Sequence, residues 1–212
     1  MLRISTRTSA ESTTRYYTAS GSSRHEYLSQ DGTVVGTWGG KCSEWLGVEG
    51  SVNPADFAAL AQNRDPLTTG RVTIRDKANR RVGYEFNFNP PKGVSVVYAL
   101  TKDPRILAGF ERAVDQAMLA IEADAMTRVR TDGFQDTNRP TQNMVWAKHT
   151  HFTTRPVNGV PDPHLHSHVF AFNMTYDQAE GRFKALQIGH IKNNANYYQT
   201  LFHDRLAAHL NA

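Results

Sequence analysis

The sequence is poor in cysteine and has no long apolar run. One cysteine, Cys42, among 212 residues excludes an internal disulfide framework and suits a reducing compartment. No stretch approaches the roughly 18–20 uncharged apolar residues that cross a bilayer, so membrane insertion is not expected. The opening MLRISTRTSAEST lacks the apolar core of a secretory leader, and a cytoplasmic location is expected. Internal repeats and long low-complexity tracts are missing as well. So are a Walker-type glycine loop and a His-x-x-Glu-His zinc-protease helix, which removes two common hydrolase classes.

What remains is ordinary globular material. Hydrophobic residues make up 39% and charged residues 21%, enough for one domain with its own core. Lys and Arg (24) outnumber Asp and Glu (20), a net charge of +4 that permits a polyanionic partner without requiring one.

Local patterns give the elements. Leu2 and Ile4 alternate with polar neighbours, predicting a short strand over residues 1–6. Residues 7–50 are polar and carry Tyr16, Tyr17 and Tyr27. They read as a helix or turn around Tyr16, then an exposed hairpin near Asp31-Gly32. Asn53-Pro54 pairs an N-cap with a first-turn proline, opening a short helix. Two strands are predicted at 71–75 and 81–88. In the second, Val82, Tyr84, Phe86 and Phe88 share the core side, and Glu85 and Asn87 the opposite face, where a polar site can be built. Asp103-Pro104 caps a long helix whose stripe runs from Ile106 to Ala125, with Arg128 and Arg130 at its C-terminus. Residues 141–152 and 164–174 read as strands joined by a Pro/Gly-rich loop over 156–163. A short strand at 182–186 and a helix over 194–210 follow. The sum is an α+β domain with a largely antiparallel sheet flanked by helices.

Of nine histidines, five crowd into residues 149–168: His149, His151, His164, His166 and His168. On a strand, residues two apart point the same way, so each run presents its imidazoles on one face. If the two strands pair, imidazoles from both converge, and neutral imidazole is the commonest transition-metal ligand. Three such ligands leave a dication its full charge and open positions for an anionic phosphodiester. A water-activating zinc hydrolase fits the same histidines. The paired tyrosines favour another chemistry, because a tyrosine hydroxyl can attack a phosphodiester once helped to lose a proton held at a pKa near 10. Taken alone, that pair is better read as packing, one ring on the core and the other incidental.

Several motifs, in order, resemble conjugative relaxases of the TrwC/TraI type, in the HUH endonuclease superfamily. Gly83-Tyr84-Glu85-Phe86-Asn87-Phe88 leads into Pro90-Pro91-Lys92-Gly93-Val94-Ser95, similar to that family's acidic strand and following turn. His151-Phe152-Thr153-Thr154-Arg155 is similar to the stretch around its first metal histidine. Asp162-Pro163-His164-Leu165-His166-Ser167-His168, then Asn173-Met174-Thr175, resembles its histidine pair and strand end.

The resemblance implies metal ligands His151, His166 and His168, with His149 and His164 as extras. It makes Tyr16 the principal nucleophile and Tyr17 its neighbour. Tyr27 stands where relatives often carry a second tyrosine pair. Glu85 takes the place of an aspartate that orients a metal histidine and helps take the tyrosine proton. Mg²⁺ or Mn²⁺ is the implied cofactor, although histidine softness alone suggests Zn²⁺, and Zn²⁺ or Ni²⁺ in a purified sample is expected to be tolerated.

The implied reaction is strand-specific nicking of single-stranded or hairpin DNA at a transfer origin, with rejoining. It leaves a 5′-phosphotyrosyl link and a free 3′-hydroxyl. Lys92, Arg71, Arg75 and Lys77 are candidate phosphate contacts, whereas Arg80 and Arg81 suit a solvated turn as well. A degenerate relative that holds DNA without cutting it is the alternative from the binding class. The implied partners are accessory relaxosome and coupling proteins, and a monomer is expected. Family nicking domains continue into a C-terminal flap and often a helicase. This chain stops at Ala212, so residues 1–212 are expected to form a single nicking domain without either.

Overall fold

The computed structural model describes residues 2–18, 36–77, 79–131, 135–154, 158 and 160–211. Its centre is a five-stranded antiparallel sheet. Strand β1 (Leu2–Arg7) pairs with β3 (Gly83–Phe88), which pairs with β7 (Pro163–Phe172). On the far side of β7 lies β6 (Trp146–Thr153), and β2 (Thr37–Gly39) closes that edge.

Each face of this sheet carries its own apolar cluster. Tyr84, Phe86, Phe88, Leu165, Val169 and Ala171 lie on one face. They pack against α5 (Pro104–Ala123) and α7 (Ala195–Leu210) through Phe110, Val114, Phe202 and Leu206. The opposite face buries Ala147, Phe170 and Phe172 beneath Phe57 and Leu60 of α3 (Pro54–Ala61) and Tyr17 of α1 (Ala10–Thr18). Val82 departs from its predicted place. It precedes β3 and joins this second cluster, because the chain becomes regular strand only at Gly83. Glycine is needed there: a Cβ on Gly83 would lie 2.4 Å from the Ala171 carbonyl oxygen and 2.4 Å from the Phe170 ring.

The predicted helix caps hold. Asn53 Oδ1 accepts from the Ala55 amide at 2.8 Å, and Asp103 Oδ1 from the Arg105 amide at 2.9 Å, each ahead of a first-turn proline. The long helix ends earlier than expected, at Ala123. Arg128 and Arg130 lie instead on β4 (Met126–Thr131), where the pattern changes from helical spacing to alternation about Thr127 and Val129. Together with β5 (Gln135–Pro140) and β10 (Leu186–Gln187), β4 makes a second sheet in the order β10-β4-β5.

Residues 71–75 are likewise not a strand. At their middle a side chain takes the place of a neighbouring strand: Asn63 Nδ2 donates to the Thr73 carbonyl at 2.9 Å, and its Oδ1 accepts from the Thr73 amide at 3.0 Å. The hairpin expected near Asp31-Gly32 lies outside the described residues.

The remaining elements among the described residues are α2 (Cys42–Trp45), α4 (Lys92–Thr101), the hairpin β8 (Thr175–Asp177)–β9 (Arg182–Lys184), and α6 (Gly189–Asn193). The 90–95 turn is the entry to α4, which starts at Lys92 directly after Pro91. Among the described residues no helix is long and apolar enough to cross a membrane.

Candidate active site

The β6–β7 register sets His149 opposite His168 and His151 opposite His166, so both histidine runs share the face that carries Phe170. Three rings then form a triangle: His151–His166 at 5.2 Å between centroids, His151–His168 at 5.3 Å and His166–His168 at 5.0 Å. The other two histidines are diverted. His149 packs against Tyr17 at 5.2 Å, and His164 stacks on His166 at 4.6 Å.

Outer hydrogen bonds fix two of the three rings. His168 Nδ1 donates to Glu85 Oε1 at 2.7 Å, and His166 Nδ1 to the His164 carbonyl at 2.8 Å, which leaves Nε2 of each as the lone-pair nitrogen. Burial draws the pKa of His166 down to about 4, so its ring is neutral at physiological pH, the form a metal needs. The donor set therefore fits a divalent cation. The cage is not closed as it stands: His151 and His166 lie nearly parallel, at 24°. Among the described residues no group of three or more His, Cys, Asp or Glu side chains is already gathered to hold an ion.

Glu85 faces the same side from β3, opposite Phe170, and reaches diagonally to His168. Its second oxygen is taken from β1. Arg7 Nε donates to Oε2 at 2.8 Å, a second Arg7 nitrogen also donates there, and Ser5 Oγ follows at 3.3 Å. Burial works to raise the Glu85 pKa, but the bonds and charges of His168 and Arg7 outweigh it and bring it to about 2. Arg7's share of that effect persists when His168 is neutral.

Helix α1 brings the tyrosines over this face. The Tyr16 hydroxyl lies 3.4 Å from His168 Nε2, and the Arg7 guanidinium is 5.7 Å from the Tyr16 ring centroid. Tyr17 turns inward, against Phe57 at 5.2 Å and Phe170 at 5.3 Å. Burial first, then the charge of Glu85, holds its hydroxyl proton far above the usual tyrosine range. Tyr27 lies outside the described residues.

The basic candidates are scattered. Lys92 forms an ion pair with Asp162 and donates to the Pro163 carbonyl at 2.6 Å, tying the start of α4 to the start of β7. Arg71 pairs with Asp76 at 3.4 Å, and Arg75 and Lys77 are exposed on the same irregular segment. None of those three touches the histidines among the described residues. Arg7 and Ser5 went unnoticed in the sequence. Alternation places both on the polar face of β1, but only the β1–β3 register, with Ser5 opposite Glu85, brings them to the carboxylate.

Comparison with known proteins agrees with this geometry. Residues 10–212 match the profile of the TrwC relaxase family. A multifunctional conjugation protein TraI from Escherichia coli, and its counterpart from strain K12, are each 36% identical over 174 residues. That alignment covers 79% of this chain and 10% of theirs, so the chain spans about a tenth of those relatives' length. Among solved structures, the conjugative relaxase TrwC in a metal-bound complex with oriT DNA superposes with a TM-score of 0.83 at 27% identity. The match covers all of this chain and 70% of that one. TrwC complexed with a 27-mer DNA comprising the recognition hairpin and the cleavage site is similar as well, with a TM-score of 0.82 at 26% identity, over 100% and 69% of the two chains. On the breadth of the profile match, the chain belongs to the TrwC relaxase family.

Proposed function

We propose that this chain nicks and rejoins single-stranded DNA at a transfer origin by transesterification, with Tyr16 as nucleophile. The observation that carries the reading is the Tyr16 hydroxyl, held 3.4 Å from His168 Nε2 at the edge of the histidine triangle. Family membership supports it, as do the relatives solved with oriT DNA.

In the reaction, Tyr16 Oη forms a bond to phosphorus while the bond from phosphorus to the 3′-oxygen breaks. The tyrosine proton leaves to a base and the departing 3′-oxygen gains one. The product is a 5′-phosphotyrosyl link and a free 3′-hydroxyl. Because bonds are exchanged rather than hydrolysed, the reverse attack by a 3′-hydroxyl rejoins a strand. His151, His166 and His168 are the proposed ligands of a divalent cation, Mg²⁺ or Mn²⁺ by family. That cation would supply stabilisation of the charge that builds on the phosphate oxygens.

The protein's own groups divide the rest of the work. Glu85 orients His168 and holds its proton on Nδ1. Its low pKa and two occupied oxygens make it a poor acceptor for the Tyr16 proton. Arg7 locks Glu85 and lines the Tyr16 ring. Tyr17 serves as the packing residue that fixes α1 over the sheet, since a hydroxyl so reluctant to ionise is a weak nucleophile. Arg128 and Arg130 are exposed on the antiparallel β4–β5 ribbon, a shape a DNA major groove admits, and they join Lys92 as proposed DNA contacts. Residues 1–212 are read as one nicking unit acting as a monomer in the cytoplasm, alongside accessory relaxosome and coupling proteins.

A denaturing protein gel tests this reading. Incubated with Mn²⁺ and labelled single-stranded origin DNA, the wild type should acquire a covalent label that Tyr16→Phe lacks. Cleavage without label would point to a water nucleophile, and neither product would point to DNA binding alone.

A further inference from the structure

The face of β6 and β7 that turns away from the histidines carries a polar chain inside an otherwise apolar layer. Thr150 and Ser167 are directly paired across the two strands, with their hydroxyls 2.6 Å apart. This pair stands between the two histidine pairs, His149 with His168 and His151 with His166. Thr150 Oγ1 also donates to Glu111 Oε1 of α5 at 2.5 Å. Glu111 Oε2 is bound by Lys148 Nζ at 2.6 Å, and Lys148, only 8% exposed, is held again by Asp115 Oδ1 at 2.6 Å, one helical turn along.

Packing alone does not call for this arrangement. The neighbouring inward positions, Trp146, Val169 and Ala171, are apolar members of the cluster that α5 and α7 complete. Lys148 is buried while Glu111 and Asp115 keep side chains 30% and 51% exposed, and such pairs stabilise a fold little, but their bonds can fix one geometry among several. The position matters too. The β6–β7 register shifts between His151 and Thr153, immediately past the His151–His166 pair, so the ladder is regular only up to the residues that matter. Bulges beside active sites re-aim side chains, and a strand next to one needs an anchor if its aim is to be kept.

We infer that Thr150, Ser167 and Glu111 act as positioning residues for the metal site from behind the sheet. They pin the two histidine strands to α5 so that His151 and His166 face each other across the last regular rung. This inference rests on the metal-binding reading of His151, His166 and His168.

Mn²⁺ binding, followed by loss of the free-ion EPR signal well below the unfolding temperature, tests it in the double variant Thr150→Val/Ser167→Ala and in Thr150→Ser. Circular dichroism checks that each is folded. The double variant should bind Mn²⁺ several-fold more weakly; neither hydroxyl touches a ligand ring, so the loss should fall short of the roughly tenfold or more that removing a ligand's direct partner costs. Thr150→Ser, which keeps the hydroxyl, should bind like wild type. Glu111→Gln offers a second route if the double variant does not fold. It keeps an acceptor for Thr150 but loses the charge that holds Lys148, and an intermediate loss of affinity is expected. Unchanged Mn²⁺ affinity in the folded double variant, whatever its melting temperature, overturns the inference and makes the network purely structural. Absence of Mn²⁺ binding by the wild type would instead overturn the metal reading itself.

Discussion

At the scale of single residues, two adjacent tyrosines on one helix meet opposite environments. Tyr16 reaches the histidine triangle while Tyr17 is sealed among Phe57, Phe170 and His149. The substitution Tyr17→Phe should therefore keep nicking within severalfold of wild type, in contrast to Tyr16→Phe. Loss of nicking in Tyr17→Phe, with a normal melting curve, would refute that division. Glu85 gives a second prediction. Replacing it with Gln keeps the shape but removes the charge that holds the His168 proton, and should weaken divalent-metal affinity by about 10- to 100-fold. Calorimetric titration with Mn²⁺ measures this, and an unchanged affinity would remove Glu85 from the orienting role. Arg7 shows why part of the site was illegible in the sequence. It lies 78 positions from Glu85 in the sequence, with α1, β2, α2 and α3 between them, and only strand pairing brings it there. His166 and His168 announced themselves by spacing.

Elements with strong local signals were legible. The alternation of Tyr84, Phe86 and Phe88 marked β3 and its polar reverse, and Asn53 and Asp103 marked two helix starts. What misled was context. Residues 71–75 look β-prone, yet Asn63 takes the Thr73 amide and carbonyl. Arg128 and Arg130 look like a helix end, yet the stripe stops at Ile121 and strand alternation begins at Met126. Two stability predictions belong to this scale. Asp103→Ala should lower the urea midpoint by removing the N-cap of α5, without affecting nicking. Gly83→Ala should cost about 1–3 kcal/mol, because the added methyl must displace the Ala171 carbonyl or the Phe170 ring. Urea denaturation checks both; a neutral Gly83→Ala would show that the β3–β7 approach relaxes more easily than the contacts indicate.

Over the whole molecule, one sheet serves two masters. Its α5–α7 face is a conventional core crossed by the Thr150–Ser167–Glu111 chain, and its other face grades from aromatic packing near α3 into the histidine cluster. On the β8–β9 hairpin, Asp177 is almost fully buried and is bound by Arg139 at 2.9 Å and Lys184 at 3.3 Å. Burial favours its neutral form, but those bonds outweigh burial and hold its pKa below the usual aspartate value. A depressed carboxylate pKa contributes stability that is present above the unfolded value, near 4, and lost as pH falls through the folded one. The urea midpoint should therefore drop between pH 5 and pH 3 by more in wild type than in Asp177→Asn. The central claim is tested most directly by mapping the DNA adduct. After reaction with Mn²⁺ and origin DNA, nuclease trimming and trypsin digestion, fragment-ion mass spectrometry should place the residual nucleotide on Tyr16 and find none in a sample treated with EDTA. A nucleotide on Tyr17, or cleaved DNA with no modified tyrosine, would contradict the account.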